Sequence, residues 1–243
     1  MNEMLKLENI VYGYNKKHIT IHDLSFSVPK GSFHAFIGEN GAGKSTTINM
    51  IVGLIDSYEG NIFINDNNVK HTNDARKYVS YIPDKAIFPN GFNTKKYLLN
   101  CGLLKRDDKH LLNQEIEEWA KSLEIEEILN KNPNKLSAGQ KKKVFLIRAI
   151  IEKSQLIILD EPAANLDPTT RIQLFKTLKY LVDNGTTILI SSHILDEIKN
   201  YTTSATFIKK GHFIWSGPVS GNQITDIYAN YYLGENQNGF EKI

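Results

Sequence analysis

Three glycines in six residues, then a lysine and two hydroxyls, make up GENGAGKST, Gly38 to Thr46. The spacing fits G-x-x-x-x-G-K-[ST] through Gly38, Gly43, Lys44 and Ser45. Glycines let a backbone curl until successive N–H groups point at one object. The first N–H groups of a helix have no partner within it, and the helix dipole adds positive charge there. Such a loop holds phosphate, with Lys44 reaching the terminal phosphates and the Ser45 hydroxyl ligating Mg²⁺. A second pair of candidates ends the apolar run LIILDE, Leu156 to Glu161. Ligands of a parallel sheet bind at the carboxyl ends of its strands. Asp160 is therefore expected beside the glycine loop to hold Mg²⁺, and Glu161 just beyond it to polarise a water for in-line attack on the γ-phosphate.

These groups need a strand before the loop and a helix after it. SFHAFI is bunched like a buried strand and TTINMIVGL has helical apolar spacing. Before them, LKLENIVYGY and ITIHDLSFSV read as strands flanking a lysine pair, and Pro29-Lys30-Gly31 as a turn. SYEGNIFIND reads as a hairpin turning at Gly60, and Tyr78–Ile82 as a short run stopped by Pro83. From Asn93 to Lys135 the pattern becomes charged and helical, with Leu98, Leu103, Leu111, Ile116, Trp119 and Leu123 at helix-like intervals. Then follow an apolar helix after LSAGQ, the strand QLIILD, a helix at about 168–183, and the strand TTILISS. This is a βαβ rhythm. Ala205–Gly217 reads as a hairpin over KKG, and the polar tail as a turn or two of helix.

With 243 residues, 41% hydrophobic and 23% charged, the chain suits a globular fold. A net charge of +2 does not call for nucleic acid, and the basic triplet Lys141–Lys143 reads as a solvated helix face. One cysteine, Cys101, allows no intramolecular disulfide and suits a reducing compartment. MNEMLKLENI is too polar for a signal peptide, and no apolar run is long enough to span a membrane.

Over nearly its whole length the chain resembles the nucleotide-binding subunit of ATP-binding cassette (ABC) transporters. The most specific element is LSAGQ (Leu136, Ser137, Ala138, Gly139, Gln140), which looks like the family's signature motif. The resemblance implies an α/β fold: a P-loop NTPase core with a parallel sheet, an N-terminal antiparallel β-subdomain and an inserted helical subdomain. It implies one ABC ATPase domain over 1–243, the core at 1–83 and 139–243 and the helical subdomain at 84–138. ATP and Mg²⁺ are the implied cofactors. The implied nucleotide contacts are Gly38, Glu39, Asn40, Gly41, Ala42, Gly43, Lys44, Ser45 and Thr46, with Tyr14, in preference to Tyr12, stacking on adenine. Glu161 and His193, in ISSHIL, are implied in catalysis, Ser45 and Asp160 in metal binding, and Asp167 of ANLD in the D-loop. Asp84 stands after YIP where the family commonly has Gln, so a shorter, negatively charged oxygen donor is expected at that nucleotide contact.

One copy of each motif, without an internal repeat, implies a partner. Two domains of the family meet head to tail, and the signature segment of one completes the ATP site of the other. A homodimer is the simplest closure; a heterodimer is the alternative. An integral-membrane permease is the second implied partner, placing the chain in the cytoplasm against the inner face of the membrane. GENGAGKSTT and DSYEGNIFIND resemble the ATPases of export-type permeases, which handle drugs, antimicrobial peptides or lipid-like molecules. The alternatives are an importer ATPase and a soluble ABC ATPase acting on nucleic acid or ribosomes. A generic P-loop kinase or GTPase is disfavoured by LSAGQ and His193.

Overall fold

The computed structural model describes residues 2–15, 18–164 and 166–233. Five strands form the centre: β3 (Phe33–Ile37), β6 (Val79–Ile82), β7 (Leu156–Leu159), β8 (Thr187–Ser192) and β9 (Ser204–Lys209). They pair in parallel in the order β9-β3-β8-β7-β6. Every residue of β3, β7 and β8 is buried. Both faces of these strands are covered, which explains why they read as continuous apolar runs rather than as alternation. Ile157 and Leu159 of β7 face one core, together with residues of α4 (Ala138–Ile151) and α5 (Pro168–Asp183). Leu156 and Ile158 face the other, with Ile48, Met50 and Ile51 of α1 (Lys44–Val52).

The first core continues into the charged helical stretch, α2 (Thr94–Leu103) and α3 (Lys109–Ser122), through Leu98, Leu112 and Ile116. Asn93 and Asp108 cap these two helices with their side chains. Between Asn93 and Lys135 the described residues contain no strand.

On the other side, β1 (Glu3–Asn15), β2 (His18–Pro29), β4 (Glu59–Ile64) and the short β5 (Asn67–Asn68) form an antiparallel layer. It joins the central strands through β10 (His212–Pro218), which is antiparallel to β9 and meets β2 at the one pair His212–His22. The rings of those two histidines stack with centroids 4.2 Å apart. A short helix α6 (Leu195–Ile198) follows β8, and the described chain ends in α7 (Gln223–Tyr228) and one π-helical turn.

Two expectations need correction. Gly60 is not a hairpin turn. It lies inside β4 at φ 85°, and a Cβ there would fall 2.4 Å from the carbonyl oxygens of Glu8 and Asn9. It serves the close passage of β4 past an irregularity in β1. The turn lies at Asn65 and Asp66, both at positive φ. The basic triplet is not uniformly solvated either: Lys142 is only 3% exposed. Asn165 of ANLD, the Lys16-Lys17 pair and residues 234–243 of the tail lie outside the described residues.

Candidate nucleotide site

The glycine loop joins β3 to α1, as the spacing requires. Its crest, Glu39, Asn40 and Gly41, is exposed, whereas Ala42 and Gly43 are buried. Gly43 precedes α1 at φ 106°, and Gly41 has φ 80°. Gly38 leaves no room for a side chain, whereas Gly43 is constrained by its positive φ and a Cβ there would press only on the end of the Ile21 side chain. A Cβ on Gly38 would come within 2.4 Å of the Ile208 carbonyl oxygen, and one on Gly43 within 2.5 Å of Ile21 Cδ1. The loop is clipped from behind by the Gly211 N–H, which donates to the Ala42 carbonyl at 2.9 Å.

Lys44 is 6% exposed and folds over its own loop. Its ammonium donates to the carbonyls of Gly38 (2.7 Å) and Glu39 (3.2 Å). The same nitrogen lies 3.2 Å from Glu161 Oε1. That oxygen is buried and accepts no hydrogen bond, so the contact is an ion pair without hydrogen-bond alignment. The other carboxylate oxygen, Oε2, lies 2.9 Å from His193 Nδ1. One carboxylate thus sits between the Lys44 ammonium and an imidazole.

Ser191 of β8 sets that carboxylate in place. Its hydroxyl donates to Asp160 Oδ1 at 2.6 Å and accepts the Glu161 N–H at 2.9 Å. Glu161 has φ 43°, a left-handed backbone that a non-glycine residue adopts at a cost. Asp160 ends β7 at 5% exposure, and its N–H bonds the Ile82 carbonyl at the end of β6. Asp84, exposed, follows on that neighbouring strand. The charges of Asp160 and Asp84 both reach Tyr81, whose phenol is pushed up to about 12, chiefly by burial.

Ser45, the second residue of α1, is exposed. Thr46 Oγ1 lies 3.1 Å from the Tyr14 hydroxyl, and the Tyr14 ring is 66% exposed. Tyr12 is half-buried and meets Tyr14 edge to face. Of the two tyrosines, Tyr14 is the one that offers an open ring beside the glycine loop.

Leu136–Gln140 is not part of this cluster. Ser137 caps α4: its hydroxyl accepts the Gln140 N–H at 3.2 Å, while Gln140 Oε1 accepts the Ser137 N–H at 3.1 Å. Leu136 is buried, but Ser137 and Ala138 are exposed. A Cβ on Gly139 would lie 2.8 Å from Thr170 Cγ2. Asp167 caps α5 by accepting the Thr170 N–H, and its pKa is lowered first by the Thr170 side chain and then by that N–H. The starts of α4 and α5 therefore touch each other, with Ser137, Ala138 and Asp167 exposed.

The donor set fits a nucleotide with its metal. The loop curls with Gly41 and Gly43 at positive φ, Glu161 Oε1 is a buried acceptor without a donor, and the Asp160 carboxylate and Ser45 hydroxyl are oxygen donors of the kind Mg²⁺ takes. Sequence reasoning missed Ser191, which reads as an ordinary strand serine. The remaining histidines include His34, whose pKa burial drives down to about 3 and whose ring nitrogens pair with Ser204 and Thr206. It is a neutral core residue.

Residues 21–164 match the family model described as ABC transporter. A putative ABC transporter ATP-binding protein of Mycoplasma pneumoniae is 38% identical over 85% of this chain and 63% of its own length. The chain thus spans less than two thirds of that relative. The molybdate/tungstate import ATP-binding protein WtpC of Pyrococcus abyssi is 31% identical, over 96% of this chain and 68% of its own. The lipopolysaccharide export system ATP-binding protein LptB of Escherichia coli is 29% identical over 95% and 97%. A solved ATP binding subunit of an ABC transporter superposes with TM-score 0.80 at 28% identity, covering 96% of this chain and 97% of that one. The chain belongs to the ABC transporter family.

Proposed function

We propose that this chain is the subunit that binds and hydrolyses ATP to drive a separate membrane permease of the export type. The observation that carries the reading is the Glu161 carboxylate, held between Lys44 and His193 by a backbone that Ser191 pins. The N–H groups of 38–46 and the Lys44 ammonium bind the phosphates. Asp160 and the Ser45 hydroxyl hold Mg²⁺, which neutralises phosphate charge when bound. Glu161 takes a proton from a water whose oxygen attacks the γ-phosphorus as the bond to the β–γ bridging oxygen breaks. His193 donates toward the γ-phosphate and Tyr14 stacks on adenine. Asp84 offers an oxygen from the adjoining loop.

Ser137, which is exposed, and Gln140 folded back beside it complete the site of a second copy or a related subunit, so two chains close over two nucleotides. Residues 84–138 act as the helical subdomain that meets the permease at the inner membrane face. Ile87 and Leu104 there are 82% and 84% exposed. Among the described residues no helix is long and apolar enough to cross a membrane. Relatives of both transport directions resemble the chain. Export rests on GENGAGKSTT and DSYEGNIFIND, with a drug, antimicrobial peptide or lipid-like cargo.

The test is Glu161→Gln. The amide fills the same space but cannot take the proton, so phosphate release should fall roughly 10²–10⁴-fold. ATP affinity should hold or tighten, because Lys44 loses its competing carboxylate. Near-wild-type turnover would remove Glu161 from this role.

A further inference from the structure

Lys142 stands in the second turn of α4 and runs inward to 3% exposure. Among the described residues it forms no ion pair with a carboxylate. Its ammonium donates instead to two consecutive carbonyls, Pro83 at 2.6 Å and Asp84 at 3.2 Å. Burial draws its pKa down to about 8, against the opposing charges of Asp84 and Asp160. A methionine would fill that space without the desolvation of a cation. What the ammonium adds is the grip on those carbonyls.

The grip spans a gap. A cleft of about 310 Å³ runs between Asp84–Ala86 and the start of α4, lined also by Ala138 and Lys141. Beyond it, Asn134 holds the Phe88 backbone at both its N–H and its carbonyl, each at 2.9 Å. Before it, Arg148 of α4 donates to the Tyr81 carbonyl at 2.8 Å. Phe88 and Tyr81 thus have their own anchors, and Asp84 between them is held by Lys142. The same helix begins at the Ser137 cap.

We propose that Lys142 is a positioning residue that clasps the Asp84 segment to the signature end of α4, so that Mg-ATP bound beside Asp84 and the outward-facing Ser137 move as one piece. The second half rests on the reading of Asp84 and Ser137 as parts of nucleotide sites; the clasp itself does not. Backbone ¹⁵N relaxation and hydrogen exchange on the full chain test the two halves. Without nucleotide, Lys142→Met should drop the order parameters of residues 84–86 from about 0.85 to below about 0.6. Phe88, held by Asn134, should stay near about 0.85. Lys142→Arg, which keeps a cationic donor, should restore most of the order. With Mg-ATP, the wild-type chain should slow exchange at 43–47 and at residues 140–141. Lys142→Met should keep the first and lose the last. Unchanged order at 84–86 in folded Lys142→Met would overturn the clasp, and slowing at 140–141 that survives the substitution would overturn the coupling. Absence of slowing at 43–47 in the wild type would instead sink the ATP reading and leave the nucleotide-free comparison to decide the clasp. Lys142→Gln, shorter and neutral, gives the same comparison if the methionine variant does not fold.

Discussion

The lysine at the end of the glycine loop is at once the most legible residue of the site and the most constrained. Lys44→Ala removes the cation that faces the phosphates, and charge-assisted hydrogen bonds contribute about 1.5–3 kcal/mol each. ATP affinity in a Mg²⁺ titration should therefore fall roughly ten- to a hundred-fold; an unchanged affinity would break the phosphate role. His193→Ala should leave that affinity nearly intact and slow phosphate release, because the imbalance appears only as charge develops on the γ-phosphate. A variant that also hydrolyses normally would reduce His193 to a partner of Glu161. Lys44, Asp160 and Glu161 stand out in the sequence as candidates because phosphate and metal chemistry calls for those types near helix starts and strand ends; His193 stands out only through the family resemblance. Ser191 does not stand out. Its two hydrogen bonds, to a carboxylate and to a strained N–H, exist only once β7 and β8 lie side by side. Lys142 was hidden for a different reason: in a run of three lysines, which one faces inward depends on the rotation of α4 against β6.

At the scale of elements, the glycine loop works because neighbouring strands crowd it. Gly38→Ala would drive a Cβ against the backbone of β9, so the loop must lift, and ATP affinity should drop about tenfold or more. At Gly41 nothing lies within 4 Å of a Cβ, and only its positive φ is penalised, by about 1–2 kcal/mol. Gly41→Ala should therefore bind ATP more tightly than Gly38→Ala when both are titrated. The reverse order would show that the loop is shaped by its own φ angles and not by β9. Strand and helix positions were largely readable, since β3, β7 and β8 carry the apolar runs of doubly covered strands and Asn93, Ser137 and Asp167 cap the helices that follow. The order β9-β3-β8-β7-β6 was not readable, because partners in a parallel sheet are set by crossovers and not by local pattern. Gly60 misled for a related reason. A glycine that lets β4 pass an irregular stretch of β1 looks, in one dimension, like a glycine that turns a hairpin.

For the whole molecule, the glycine loop and the Ser137 cap of one chain do not meet. The glycine loop faces Glu161 and His193, while Ser137 is exposed at the start of α4, where Gly139 packs against Thr170. Our account holds that each nucleotide is closed by the loop of one chain and Ser137 of another. Ser137→Arg should then spare ATP binding by the isolated chain, since the substitution lies away from its own loop, yet prevent closure by filling the partner's γ-phosphate space. Mixing Ser137→Arg with Lys44→Ala protein places both lesions in one site of a mixed pair and leaves the other site intact. The most direct measurement is phosphate release by each variant alone and by the mixture, as protein concentration is raised. Shared sites predict that each variant alone is nearly inactive and that activity returns in the mixture, rising with concentration. Hydrolysis by Ser137→Arg alone at the wild-type rate, independent of concentration, would contradict it.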